Sequence, residues 1–379
     1  MKINVLRVFH VVEQFSVRSE TFIYDVICEL DKEHANRIYT FNRLLAHERP
    51  YNKVVVHKMN FLLFRILYKL MKVLRVASVP YIGSIRREIN EFKPQVIHAH
   101  FSSMGILVNR VVNNSKGKIP VLVSCHGSDV NTLPDGSKQI LREFLELGKN
   151  DHVNFTAPSE FLKDKMISLG IPKNKIFVLS NSYKSHGYDR VAIHHNPNCY
   201  NLITVGRLIE CKGFEYLIKA VAMSDAKIRL TIVGAGELEE QLKQQVSELN
   251  IGERVVFKGA LKHQDVYNEL RKADIYIQPS IIASDGAEES FSISTLEAMS
   301  LGLPIIASKV GGLPELLDFG NCGVLVEQKS EEKLHLAINK MEDYSLRLRY
   351  SQNAFDRAIS FYTIDHQIDA LNEIYLKLI

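Results

Sequence analysis

Residues 288–316 read EESFSISTLEAMSLGLPIIASKVGGLPEL. A helix begins near Phe291, and Ser290 or Ser292 can cap it. Its first amides, around Ser292 to Ser294, have no partner within the helix and form an anion site suited to phosphate. Glu289 precedes the helix, where it can reach a sugar hydroxyl. Glu297 lies about a turn and a half inside, where it can accept from a ribose diol. Two glutamates spaced this way also fit an ordinary solvated helix. An apolar strand over 303–307 and a Gly311–Gly312 turn follow directly.

Outward in both directions, short runs rich in Val and Ile alternate with amphipathic stretches. In the first half the expected strands are 3–12, 37–42, 53–57, 95–100, 119–125, 152–156 and 175–180. In the second half they are 201–206, 227–233, 254–259, 274–278, 303–307 and 322–326. Near-continuous apolar strands between helices mean parallel sheets covered on both faces. The polar, irregular segment 184–200 separates two such series. The chain therefore divides into two Rossmann-like domains, over 1–185 and 200–355. A C-terminal helix over 356–379 is expected to pack back on the first domain. In open α/β sheets ligands bind outside the C-terminal strand ends, so the expected site is a cleft between two doubly wound α/β domains.

Several segments together resemble family 4 retaining glycosyltransferases, which have the GT-B fold. Residues 289–316 are similar to the family's E-G-F-G-x-x-x-x-E-A-M-A-x-G-x-P-V-V-A-S…G-G-x-x-E block. VGRLIECKG at 205–213, IVGAGELEEQL at 232–242 and VVFKGALKHQDVYNELRKADIYIQPS at 255–280 resemble further family segments. VIHAHF at 96–101 and HGSDV at 126–130 fit its strand-end motifs. SETFI at 19–23 resembles a subgroup that builds bacterial surface polysaccharides. Ser292 stands where the family has Gly, which bears on the shape of the sugar pocket. Asp285 and Glu288 beside Glu289 leave open which carboxylate meets the sugar.

The resemblance implies transfer of a hexose-type sugar from a nucleotide-diphosphate donor to a glycan acceptor. Departure of the diphosphate leaves negative charge, which fixed positive groups must stabilise if no metal does. Arg207 and Lys212 supply a planar fork and a point charge after a strand, with Gly206 keeping the turn tight. His126 ends the strand PVLVSCHG, and the matching family histidine lies near the sugar's C6 hydroxyl. Asp129 is expected to brace its loop. The implied donor site comprises Gly206, Arg207, Lys212, Gly234, Ser290, Phe291, Ser292, Ile293, Ser294 and Glu297. The implied catalytic set is Glu289, His126, Arg207 and Lys212. Ser19 reads as the cap of a helix running to about residue 30, with Glu20 and Thr21 beside the acceptor or diphosphate. His98 and His100 share a strand face, but no Cys or acidic group lies nearby, and they read as strand-end polar residues. No metal and no cofactor is expected.

The 379 residues are 46% apolar and 24% charged, which excludes a disordered, collagen-like or disulfide-scaffold chain. Five cysteines without a CxxC pair read as reduced thiols of a cytoplasmic protein. Residues 1–12 lead into polar sequence without a cleavage site, unlike a signal peptide. The net charge is +4, yet nine Lys and Arg and no acidic residue lie between Glu48 and Glu88. Wound as a helix, 58–76 gathers Lys58, Arg65, Lys69 and Lys72 on one narrow face among Phe61, Phe64 and Leu67. That pattern reads as docking on an anionic membrane surface, peripheral on its inner face, with a lipid-linked acceptor. A core helix with one wet edge would give the same sequence.

Other function classes fit less well. A nucleotide-sugar 2-epimerase needs acid/base groups at C2 and C3 and no such cation pair. A phosphorylase needs a pyridoxal-phosphate lysine. A non-catalytic binding subunit would not need Glu289, Glu297, Arg207, Lys212 and His126 together. Nucleic-acid binding is not expected, because the basic segment lacks interleaved exposed aromatics on a known binding fold.

Overall fold

The computed structural model describes residues 5–17, 20–57, 82–112, 119–133, 138–183, 190–193, 200–225 and 227–379. Ser19 and the basic segment with Lys58, Arg65, Lys69 and Lys72 fall outside them. Two compact units emerge. The first holds Met1–Pro158, Lys163–Leu179 and Gln367–Ile379; the second holds Ser159–Leu162 and Ser180–His366.

In the first unit the strands are β1 (Arg7–Phe15), β2 (Ala35–Arg43), β3 (Val54–Val56), β4 (Val96–His100), β5 (Val121–Ser124), β6 (Val153–Ala157) and β7 (Ile176–Val178). They form one parallel sheet in the order β3-β2-β1-β4-β5-β6-β7. Order reverses between β1 and β4. Side chains on both faces of the central strands β4 and β5 are buried, as helix-covered parallel sheets require. Val8, Phe9, Val11, Ile97, Leu122 and Phe155 are fully out of solvent.

The C-terminal helix Ile364–Leu378 completes this unit. Tyr375 Oη lies 2.7 Å from His98 Nδ1, and Asn372 Oδ1 lies 2.7 Å from His34 Nε2. A separate helix, Tyr344–Phe361, runs unbroken across the 355/356 boundary expected from the sequence. The change of unit falls between His366 and Gln367.

The second unit contains β8 (Tyr200–Val205), β9 (Ile228–Val233), β10 (Val255–Phe257), β11 (Ile275–Gln278), β12 (Ile305–Ser308) and β13 (Gly323–Val326). Its parallel order is β10-β9-β8-β11-β12-β13. This is the 3-2-1-4-5-6 order of a doubly wound α/β sheet, with its reversal between β8 and β11. One apolar layer gathers Leu217, Ile218, Leu230, Ile232 and Ile338. The other gathers Tyr267, Leu296, Met299, Leu313 and Leu316. Chain segments leaving β8 and β11 meet at the reversal, and that is where the second unit's polar groups collect.

Candidate active site

The sequence 288–316 folds around the C-terminal ends of β8 and β11. Its helix runs Ile293–Ser300, and Ser292 caps it, its Oγ accepting from the Thr295 amide at 3.3 Å. The helix itself gives no partner to the first amides, those of Ile293 and Ser294. Ser294 Oγ donates to Val205 O at 3.0 Å, tying this turn to the end of β8. Beneath it lies a buried polar network. Tyr276 Oη is 2.7 Å from Gln278 Oε1 and 2.8 Å from Ser294 Oγ, and Gln278 Nε2 donates to Ser280 Oγ at 2.8 Å. The sequence reading missed Tyr276, Gln278 and Ser280, because polar residues inside an apolar strand show no partner until the fold supplies one.

Glu289 pairs with Lys212, and both side chains are mostly buried. Ser280 Oγ lies 3.5 Å from the same carboxylate oxygen. Lys212 folds back over the start of its own turn, with Cδ and Cε each 3.4 Å from where a Cβ on Gly206 would stand. Burial raises the Cys211 thiol above its ordinary value. Lys212 and Arg207 oppose that rise and Glu289 and Asp285 add to it. Arg207 itself is exposed on the turn after β8. The neighbouring acidic groups are otherwise occupied. Asp285 Oδ1 accepts from the Ala287 amide at 2.9 Å, and Glu210 binds Ser284 through its amide and hydroxyl. Among the carboxylates of the 281–290 loop, Glu289 is the one paired with Lys212.

Backbone contact fixes both Gly234 and Glu289. Gly234 has φ +141°, and a Cβ there would stand 1.8 Å from Gly206 O. Gly311 has φ +58°, and a Cβ there would stand 1.8 Å from Glu289 O. Only glycine permits either approach. The Gly312 amide then donates to Glu289 O at 2.9 Å, holding the residue that carries the carboxylate. Ser290 O accepts from Ser159 Oγ at 2.8 Å, and Phe291 packs edge-on against Tyr362.

In the first unit, His126 follows β5. Asp129 braces its loop: Oδ1 accepts from the His126 and Gly127 amides at 2.9 and 3.0 Å, and Oδ2 from Ser102 N at 2.7 Å. Phe101 and Phe22 flank the imidazole, with centroids 4.7 and 5.0 Å away. Phe22 lies in SETFI, so that motif and HGSD share one local site. Burial lowers the His126 pKa to about 3, leaving a neutral ring that can hydrogen bond but brings no positive charge. The helix that begins within SETFI spans Thr21–Leu30, with Glu20 at its cap position; Ser19 lies outside the described residues. Glu20 makes no side-chain capping bond.

The ring of His100 lies parallel to His126 at 5.9 Å. His100 Nε2 meets His10 Nδ1 at 3.3 Å, and His10 Nε2 meets Asn36 Oδ1 at 3.2 Å. His98 binds Ser124 Oγ as well as Tyr375, both at 2.7 Å. His10, His98 and His100 bring ring nitrogens within 4.8 Å of one another, a spacing that could hold a metal. Both nitrogens of His10 and of His98 are, however, already used by protein partners. Burial depresses all three, His10 to about 4.

A model described as Glycosyltransferase Family 4 matches residues 19–184, and one described as Glycosyl transferases group 1 matches residues 189–357. The amylovoran biosynthesis glycosyltransferase AmsK of Erwinia amylovora is 27% identical over 256 residues, 64% of this chain and 60% of that protein. The putative colanic acid biosynthesis glycosyltransferase WcaL of Salmonella typhimurium is 25% identical over 252 residues, with the same coverage. This chain thus spans about 60% of the length of those curated relatives. Among solved structures, Anabaena Alr3699/HepE in complex with UDP superimposes with a TM-score of 0.78 at 19% identity, covering 98% of this chain and 100% of that one. The lipopolysaccharide outer core galactosyltransferase WaaB gives 0.74 at 16% identity, covering 99% and 100%. At these identities the structural likeness speaks for the fold.

Proposed function

Because this chain belongs to the family 4 glycosyltransferases of the GT-B fold, we propose that it moves a hexose-type sugar from a nucleotide-diphosphate donor to a glycan acceptor in polysaccharide assembly. The observation that carries this reading is the Lys212–Glu289 pair beside the capped helix Ile293–Ser300, at the strand-order reversal of the second unit. Helix amides with Lys212 and Arg207 take the diphosphate; Glu289 takes a sugar hydroxyl; Glu297 takes the ribose diol. Gly206 and Gly234 let the turn approach the phosphates, and Ser290, Phe291, Ser292, Ile293 and Ser294 form the wall of the donor site. Lys212 already serves Glu289, so donor binding divides one cation between a carboxylate and a phosphate.

The reaction breaks the bond between the anomeric carbon and the diphosphate oxygen. The acceptor hydroxyl forms its new bond on the same face, giving retention, and its proton passes to the departing phosphate. His126, neutral, hydrogen bonds the sugar without adding charge. The solved relatives in complex with UDP and UDP-glucose make uridine diphosphate donors the first to test. Purified protein is expected to release nucleoside diphosphate from one member of a panel of UDP-, GDP- and ADP-sugars when acceptor-bearing membranes are added. No release with any of them would refute the reading. The same activity is expected to persist in EDTA. Full loss in chelator, restored by manganese, would show that a metal supplies the charge assigned to Arg207 and Lys212.

The acceptor in this reading is lipid-linked and reached from a membrane surface. No helix among the described residues is long and apolar enough to cross a membrane. Support for surface docking is the basic, apolar sequence 58–76 alone. Replacing Lys58, Arg65, Lys69 and Lys72 by Gln is expected to abolish flotation with anionic liposomes while sparing turnover on a short water-soluble acceptor. Equal flotation of both proteins would assign the segment to the folded core.

A further inference from the structure

Glu297 is only 6% exposed, and a carboxylate taken out of water needs a hydrogen-bonding partner. Its one partner among the described residues is His263, whose Nε2 lies 2.6 Å from Oε1. A carboxylate oxygen accepts, so Nε2 carries a proton and donates. His263 is the first residue of the helix His263–Leu270, which follows β10. Its ring stands edge-on to Tyr267 one turn later, with centroids 5.2 Å apart and planes at 79°. Tyr267 is itself buried in the core of the second unit. The imidazole is therefore held by the core on one side while its Nε2 reaches the glutamate on a different helix.

We infer that His263 is a positioning residue for ribose recognition. By taking Oε1 it fixes the rotamer of Glu297 and reserves Oε2 for the ribose hydroxyls of the nucleoside diphosphate. The inference rests on the reading of Glu297 as the ribose-binding carboxylate. A carboxylate with one oxygen pinned offers its second in a single direction, which suits one pair of vicinal hydroxyls. An unpinned carboxylate would turn among rotamers, and each ribose contact would carry an ordering cost.

The test is calorimetric binding of UDP, GDP and ADP and of their 2′-deoxy analogues to the full chain. Wild type is expected to prefer the ribonucleotide. His263→Ala is expected to weaken ribonucleotide binding about tenfold and leave the deoxy analogue nearly unchanged, so that the preference collapses. His263→Gln, whose amide can still donate to Oε1, should restore most of it. Kinetically, His263→Ala should raise the donor KM while kcat at saturation changes little. Equal weakening of both nucleotides, or no change in either, would overturn the inference and leave His263 a structural residue. Glu297→Gln separates the two claims. If that variant loses the ribose preference while His263→Ala keeps it, the ribose reading stands and the positioning role is wrong. If Glu297→Gln keeps the preference, the ribose reading fails. If no nucleoside diphosphate binds wild type, both fail.

Discussion

Acidification is expected to destabilise the first unit by about 3 kcal/mol through His10 alone, once the pH falls to its native value. Burial holds that imidazole at about 4 in the folded chain, against an ordinary 6.5. Between those values the unfolded chain binds the proton and the folded one does not. Stability is therefore full above pH 6.5, declines as the pH drops, and levels off below about 4. His126, at about 3, adds a loss in the same direction that continues to lower pH. His98 and His100 are depressed the same way. The chain contains no Trp, so amide hydrogen exchange over β1, β4 and β5 is the suitable readout. Protection there should fall steeply from pH 6.5 to pH 4 after correction for intrinsic exchange. His10→Gln, which removes one titrating group, should flatten that fall. Protection that stays constant across this range would mean that water reaches these histidines in the folded chain.

Arg207→Ala and Lys212→Ala are each expected to lower turnover about a hundredfold, or about 3 kcal/mol, because each removes positive charge opposite the leaving diphosphate. The two should differ in stability. Arg207 is exposed, so its loss leaves melting unchanged. Lys212→Ala strands the Glu289 carboxylate, which is mostly buried, and should lower the melting temperature as well. Lys212→Ala with Glu289→Gln removes the stranded charge and should recover stability but not activity. Near-normal turnover in both single variants would dismiss the cation pair as a leaving-group clamp.

Much of the architecture was legible because buried parallel strands write themselves as apolar runs. Each of the thirteen expected strands has its counterpart. β1 shows the limit: its run was expected to stop at Val12, yet the strand continues through Glu13 and Gln14 to the buried Phe15. Ser292 was legible as a cap because a hydroxyl before an apolar helix has a local partner, here the Thr295 amide. The Lys212–Glu289 pair spans 77 positions, and its members were singled out without their contact being visible. His10, Gln278 and His263 were not legible at all. His10 faces His98 only through the register of β1 on β4, and His263 meets Glu297 only because two helices come together.

The return of the last thirteen residues to the first unit sets an order of events during synthesis. His98 and His34 leave the ribosome long before Tyr375 and Asn372 exist, because Ser180–His366 must be made in between. At about 5–20 residues per second that interval lasts on the order of ten to forty seconds. Throughout it His98, on the central strand β4, and His34 lack these partners, and an incompletely covered sheet is the condition under which partly folded chains associate. Emergence of Gln367–Ile379 is thus the step that closes the first unit, although the rest of that unit's sequence precedes residue 180.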